Sequence, residues 1–275
     1  MDLKEYLIPR NMIRKSKIHL DRMYRTVFNA WAQINPNPIF ILGNQKSGTS
    51  AIAALLAHHT GLSLTLDMET LEHEANIQLI KGEITLQEFI NQNRVYFSRQ
   101  IIKEPWLTFH FDRLYALYPD ARYVFIVRDP RNNIRSILNR LNLPGNLEDI
   151  TEDHLNRIKA GWRIILRGTW MGLPEGTYIE TLAYRWNTAV DVYLNHRSQM
   201  IFVRYEDFVK DKVNFIKALA EKLSLEGKRD FTHLIHKPFQ PRGNSSVPLM
   251  EFFGEKNLHR ILEICGSRME QLNYL

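Results

Sequence analysis

The sequence predicts an α/β fold: a single domain with a mostly parallel central sheet, helices on its faces and a helical layer added in the second half of the chain. Three observations carry that prediction. Short apolar runs recur between segments of helical period, as the buried strands of parallel sheets do. The first such run leads at once into a glycine-containing loop and a run of helix formers, the order strand, loop, helix. No Gly/Ser/Pro linker, repeat or low-complexity tract divides the 275 residues, a length that one core can organise.

Taken in order, residues 1–34 read as one or two basic helices, packed on the domain edge in preference to lying on a membrane surface. The punctuation Asn35-Pro-Asn-Pro38 stops them, because proline cannot continue a helix. Residues 39–42 form a buried strand ending at Gly43, and residues 50–59 a helix ending at Thr60-Gly61. Further strands are expected over 62–66, 100–103, 123–127 and 200–203. Helices are expected over 107–118, 131–141, 178–197 and 208–223, with a last one over 251–275. Thr70 reads as an N-cap, with the acidic residues up to Glu74 favouring the dipole of the helix it starts. His58 and His59 suit the C-terminal end of their helix. Trp162, Trp170, Tyr178, Tyr184, Trp186 and Tyr193 make a ring-rich helical layer, mostly core, with a few members left to line a ligand pocket. Cys265 reads as a small buried apolar residue.

Composition narrows the function. At 44% hydrophobic and 24% charged residues, disorder, collagen and coiled coil are excluded. One cysteine leaves no disulfide framework and no cysteine-based zinc site. The first thirty residues scatter apolar side chains among charges, unlike a signal peptide or a span of about 18 apolar residues. The expectation is a soluble, cytoplasmic protein. A net charge of +6 favours an anionic ligand.

Two motifs say where that anion binds. Gly43-Asn-Gln-Lys-Ser-Gly-Thr-Ser50 joins a strand to a helix, so backbone N–H groups and a helix N-terminus converge on one point. It is not the G-x4-G-K-[ST] loop of a magnesium–nucleotide site, because its lysine stands at position 46 and Thr49 follows the second glycine. Downstream, Arg128 follows a predicted strand and Pro130 suits the first turn of a helix carrying Ser136. The arginine fork and the serine hydroxyl are thereby placed to hold one anion from two sides. The alternative for Arg128 is an ion pair with Asp129 or another carboxylate.

With K-S-G-T after one strand and V-x-R-D-P-R-x-x-x-x-S after another, the chain resembles the sulfotransferases that use 3′-phosphoadenosine 5′-phosphosulfate (PAPS). The resemblance implies a P-loop-type sheet and a single domain with its nucleotide-binding core over 38–250. It implies that Lys46, Ser47, Gly48, Thr49 and Ser50 hold the 5′-phosphosulfate, and that Arg128 and Ser136 hold the 3′-phosphate. Tyr205, in V-R-Y-E-D-F, resembles the tyrosine beside the adenine, and Arg242 and Gly243 the late R-G segment that closes over the nucleotide. Lys103-Glu104-Pro105 resembles the K-[DE]-P strand end of bacterial and tyrosylprotein members. The ending through Leu272-Asn-Tyr274 is also similar to bacterial members.

Sulfuryl transfer needs positive charge on the leaving phosphate and a base for the acceptor proton. Lys46 suits the first role, and Lys103 is placed to hold the transferring sulfonate or the leaving oxygen, the alternative being a surface lysine at a strand end; no metal is required. The histidine that acts as base in cytosolic members, from K-T-H-x-P, is replaced here by Lys103-Glu-Pro-Trp106. By resemblance to the context G-E-E-T of other branches, Glu69 is the first choice of base, with Glu72, His73 and Glu104 behind it. The expected acceptor is a small molecule, lipid or saccharide, bearing a hydroxyl or amine. Competing readings are a P-loop nucleotide or small-molecule kinase, opposed by the displaced lysine, and a nucleic-acid-binding module, opposed by the lack of a Lys/Arg run or interleaved Gly-aromatic motif.

Overall fold

The computed structural model describes residues 28–71, 74–168, 171–237 and 246–275. Its centre is a five-stranded, all-parallel sheet: β1 Ile39–Gly43, β2 Leu64–Thr65, β3 Ile101–Lys103, β4 Arg122–Val127 and β5 Met200–Arg204, in the order β2-β3-β1-β4-β5. Alternation along the strands sorts side chains to two faces. Ile39, Ile41, Ile101, Val124, Ile126 and Val203 enter a smaller core. Phe40, Leu42, Ile102, Tyr123, Phe125 and Val127 enter a larger one.

The helices that matter for the site are α1 Thr49–Thr60, α2 Pro130–Leu141, α3 Ala160–Arg167, α4 Tyr178–Asn195, α5 Tyr205–Lys210, α6 Lys212–Lys222 and α7 Leu249–Gln271. Helices α1 and α6 bury Ile52, Leu55, Leu56, Ile216 and Leu219 in the smaller core. Helices α2, α4 and α7 supply Ile134, Ile137, Leu182, Trp186, Ile261 and Cys265 to the larger one. Gly43, at φ 131°, ends β1, and a Cβ there would sit 2.2 Å from the Ile126 carbonyl oxygen; only glycine lets β1 and β4 approach so closely.

All five expected strands form, β2 and β3 shorter than read. Between β2 and β3 the chain adds helices Glu74–Lys81, Leu86–Gln92 and Arg94–Phe97, and helix Glu152–Asn156 and α3 precede α4. Thr70 is no N-cap: it lies inside a 3-10 turn, Glu69–Leu71, and its hydroxyl donates to Asn93 Oδ1 at 2.9 Å. The last helix starts at Leu249 and is interrupted at Gly254, whose φ of 67° and ψ of 165° are not helical. His58 and His59 do occupy the last turn of α1, each bonding a backbone carbonyl of residues 229–230. The expected extension over 1–34 falls mostly outside the described residues, of which 28–31 are helical. Among the described residues no helix is long and apolar enough to cross a membrane.

Candidate active site

Every parallel strand delivers its carboxyl end to the same edge of the sheet, where a ligand is expected. After β1, the loop turns through Lys46 at φ 68° and Gly48 at φ 89°. Gly48 is the N-cap of α1, and no described side chain caps that helix. The first N–H groups of a helix have no intrahelical acceptor, so this end is polarised for an anion. A Cβ on Gly48 would lie 2.2 Å from Tyr205 Cδ2, which presses the Tyr205 ring directly against the loop.

The loop is held from α2 by Asn133, a fully buried residue. Asn133 Nδ2 donates to the Gln45 carbonyl at 2.8 Å and to Ser47 Oγ at 3.0 Å, while its Oδ1 accepts from Asn44 Nδ2 at 3.0 Å. From α4, buried Arg185 donates to Gln45 Oε1 at 2.6 Å and stacks over Trp106 and Phe109, at 4.5 and 4.2 Å from the ring centroids. Neither residue is evident from sequence, although Asn133 lies inside the second motif. Its partners Asn44 and Ser47 are 89 and 86 positions away, a pairing no local pattern encodes.

A cavity of about 190 Å³ opens beside this loop. Gln45, Lys46 and Thr49 line it from the loop and α1, Asp67 from the segment after β2, and Lys103, Glu104, Pro105 and Trp106 from the end of β3. Arg140 of α2 and Gly161, Trp162 and Ile165 of α3 complete the lining. Burial, followed by repulsion from Arg140, Arg128 and Lys103, lowers the Lys46 pKa to about 8. A lysine held among three other cations is a ready counter-charge for an anion.

Lys103 is almost fully buried, and its ammonium pairs with the half-exposed Asp67 carboxylate. Glu104 is also buried; its carboxylate accepts from Met68 N at 2.7 Å and Trp106 N at 3.1 Å, tying the segment after β2 to the end of β3. Burial raises its pKa to about 7 against the opposing effect of Lys103. The backbone of Glu69 lies two residues beyond Asp67, in the 3-10 turn; its side chain, like Glu72 and His73, is outside what is described. Asp67, within the acidic stretch but not singled out from sequence, lines the cavity together with Glu104, one of the candidate bases.

On the other side of the loop, Arg128 donates to the Lys46 carbonyl at 3.1 Å and lies 4.6 Å over the Tyr205 ring. Asp129 instead pairs with Arg131 and caps α2, so the Arg128–Asp129 ion pair does not form. Ser136 is half-buried on α2, and Ser47, Thr49 and Ser50 are buried. The structure thus gathers Lys46, Gly48, Arg128 and Tyr205 around one loop. Arg242, Gly243 and Trp170 lie outside the described residues. Of the other ring residues, Tyr178 and Trp186 are core and Trp162 lines the cavity. Among the described residues no group of three or more His, Cys, Asp or Glu side chains is placed to hold a metal.

Comparison with known proteins identifies the family and the fold. The family model described as Sulfotransferase family matches residues 66–229. A sulfotransferase from Mycobacterium avium has the same fold at a TM-score of 0.54 and 14% identity, over 88% of this chain and 78% of that one. A mouse sulfotransferase complexed with PAP gives a TM-score of 0.51 at 14% identity, over 88% of each chain. No curated protein sequence matches.

Proposed function

Because the chain belongs to the sulfotransferase family, we propose that it moves a sulfuryl group from PAPS to a hydroxyl or amine of a small-molecule, lipid or saccharide acceptor. The observation that carries this reading is the convergence of Lys46, Lys103 and Arg140 in one cavity beside the N-terminus of α1, which no described side chain caps. The residues fit a donor with two separate anionic groups. Lys46 and the first turn of α1 serve the 5′ side, and Arg128 and Ser136 the 3′-phosphate. Tyr205 flanks the adenine, and Arg242 and Gly243 are carried over by resemblance alone. PAPS supplies the sulfuryl group, whose bond to the 5′-phosphate oxygen breaks as the acceptor oxygen or nitrogen bonds to sulfur.

The protein's part is electrostatic and acid–base. Lys46 stabilises charge developing on the leaving phosphate, and Lys103 faces the transferring group. A carboxylate takes the acceptor proton: Glu69 by resemblance, or Asp67 or Glu104, which both line the cavity beside Lys103. Trp106, Trp162 and Ile165 form an apolar wall, which favours an acceptor whose hydroxyl is borne by a flat or apolar body.

The test is calorimetry with adenosine 3′,5′-bisphosphate and AMP, combined with turnover of labelled PAPS. Charge-assisted bonds contribute about 1.5–3 kcal/mol, so loss of the 3′-phosphate should weaken binding at least about tenfold. Equal affinity would sink the donor assignment. Turnover should survive EDTA, whereas loss in chelator and recovery with magnesium would point to kinase-like chemistry.

A further inference from the structure

We infer that Trp186, Glu206 and Tyr274 are positioning residues that aim Arg128, and thereby set the preference for a 3′-phosphorylated nucleotide; this rests on the donor reading above. The peptide unit between Arg128 and Asp129 is held at both of its polar atoms. Its carbonyl, on Arg128, accepts from Trp186 Nε1 of α4 at 2.9 Å. Its N–H, on Asp129, donates to Glu206 Oε1 of α5 at 3.0 Å. The second oxygen of Glu206 accepts from the Tyr274 hydroxyl at 2.8 Å.

Tyr274 is fastened in turn. Its carbonyl accepts from Arg131 Nη2 at 3.5 Å, and the Asn273 carbonyl from Arg204 Nη2 at 3.0 Å. The Arg204 guanidinium lies 4.4 Å over the Tyr274 ring. Burial and the Glu206 carboxylate push the phenol's acidity far down, keeping its proton on the hydroxyl. Three segments distant in sequence therefore fix one peptide plane.

That plane governs where the Arg128 side chain departs from the backbone. Among the described residues no carboxylate pairs with Arg128; its guanidinium reaches the Lys46 carbonyl and the Tyr205 face. Its direction is thus set by its own backbone and by that stacking. An arginine fork bonds phosphate well only in the right orientation, and holding it there in advance lowers the entropy lost on binding. Trp186, Glu206 and Tyr274 do not line the cavity around Lys103, so their effect falls on the 3′ side of the nucleotide.

The experiment compares bisphosphate and AMP affinity in the full chain and in Tyr274→Phe, Glu206→Gln and Trp186→Phe, each below its own unfolding midpoint. Each variant should lose about fivefold or more in bisphosphate affinity, the scale of a misaimed charge-assisted bond, while AMP affinity changes less than about twofold. A merely structural role would weaken both nucleotides alike. If the unaltered chain prefers the bisphosphate and all folded variants keep its ratio, the positioning inference is overturned and the donor reading stands. If the unaltered chain shows no preference, the donor reading itself fails. Trp186→Phe removes a buried N–H and is the variant most exposed to misfolding; Tyr274→Phe and Glu206→Gln decide the matter without it.

Discussion

Raising the pH through 8 should weaken binding of adenosine 3′,5′-bisphosphate, and Lys46 should set where the loss begins. Burial and then the charges of Arg140, Arg128 and Lys103 hold its pKa at about 8 in the ligand-free protein. Below that pH the side chain is an ammonium; above it, the neutral amine prevails. A bound phosphate favours the ammonium and raises the pKa, so binding takes up a proton. The linkage relation then gives about half a proton per nucleotide at pH 8, and an affinity falling about tenfold per pH unit above it until the pKa of the complex is reached. The total loss is bounded by the worth of one charge-assisted bond, about 1.5–3 kcal/mol, or roughly 10- to 150-fold. Calorimetry in buffers of different ionisation enthalpy reads both quantities. Lys46→Arg stays charged over this range and should take up no proton and show a flat profile. If Lys46→Arg and the unaltered chain follow the same curve, Lys46 is not the titrating group and the argument fails.

The same geometry leads to further expected outcomes. The ligand-free protein bears the cost of the Lys46 charge: its pKa lies below the unfolded value of 10.5, so the penalty is full below pH 8 and disappears as pH rises towards the unfolded pKa. Lys46→Met should therefore raise the unfolding midpoint of the ligand-free protein at pH 7 by roughly 2 °C or more in calorimetric scans, while Lys46→Ala lowers turnover by about 10²-fold. Glu69→Gln and Asp67→Asn should be compared for product formation and bisphosphate affinity. The base is the residue whose loss costs about 10² to 10⁴ in rate with little change in affinity, and normal turnover in both would exclude the segment after β2. Gly48→Ala should abolish most nucleotide binding, since a Cβ would collide with Tyr205 and φ is 89°; unchanged affinity in titration would show that the ring yields.

The sheet was legible because each strand is a compact apolar run, and both main motifs because each lies in the few residues after a strand. The short helices between β2 and β3 were not, since four to eight residues give too little period to separate from loop. One local signal was present: Thr85 and Glu88 form a capping box at the start of Leu86–Gln92, the S/T-x-x-E pattern of a helix start. Arg128 and Tyr205 could be chosen from sequence, but not their stacking on one another. The supports of the loop, Asn133 and Arg185, were hidden for a different reason. Asparagine on a helix ordinarily reads as surface, and arginine is seldom fully buried; only the tertiary arrangement reveals that both end in the loop. Asp67 carries no local signal that separates it from the other acids of its stretch, because its pairing with Lys103 joins positions 36 apart.

The two walls of the cavity differ in what else depends on them. The loop bearing Lys46 is anchored through α1 to the smaller core and through Asn133 to α2, so its backbone course is tied to both faces of the sheet. Trp162 and Ile165 stand on α3, eight residues long, which buries Ile164, Ile165 and Leu166 in the larger core and ends at a left-handed Gly168. Trp162 is half-buried, and neither it nor the buried Ile165 takes part in the bonds from Asn133 and Arg185 to the loop. On the proposed assignment, the acceptor side can be exchanged at Trp162, on one short helix, while the donor side keeps its supports.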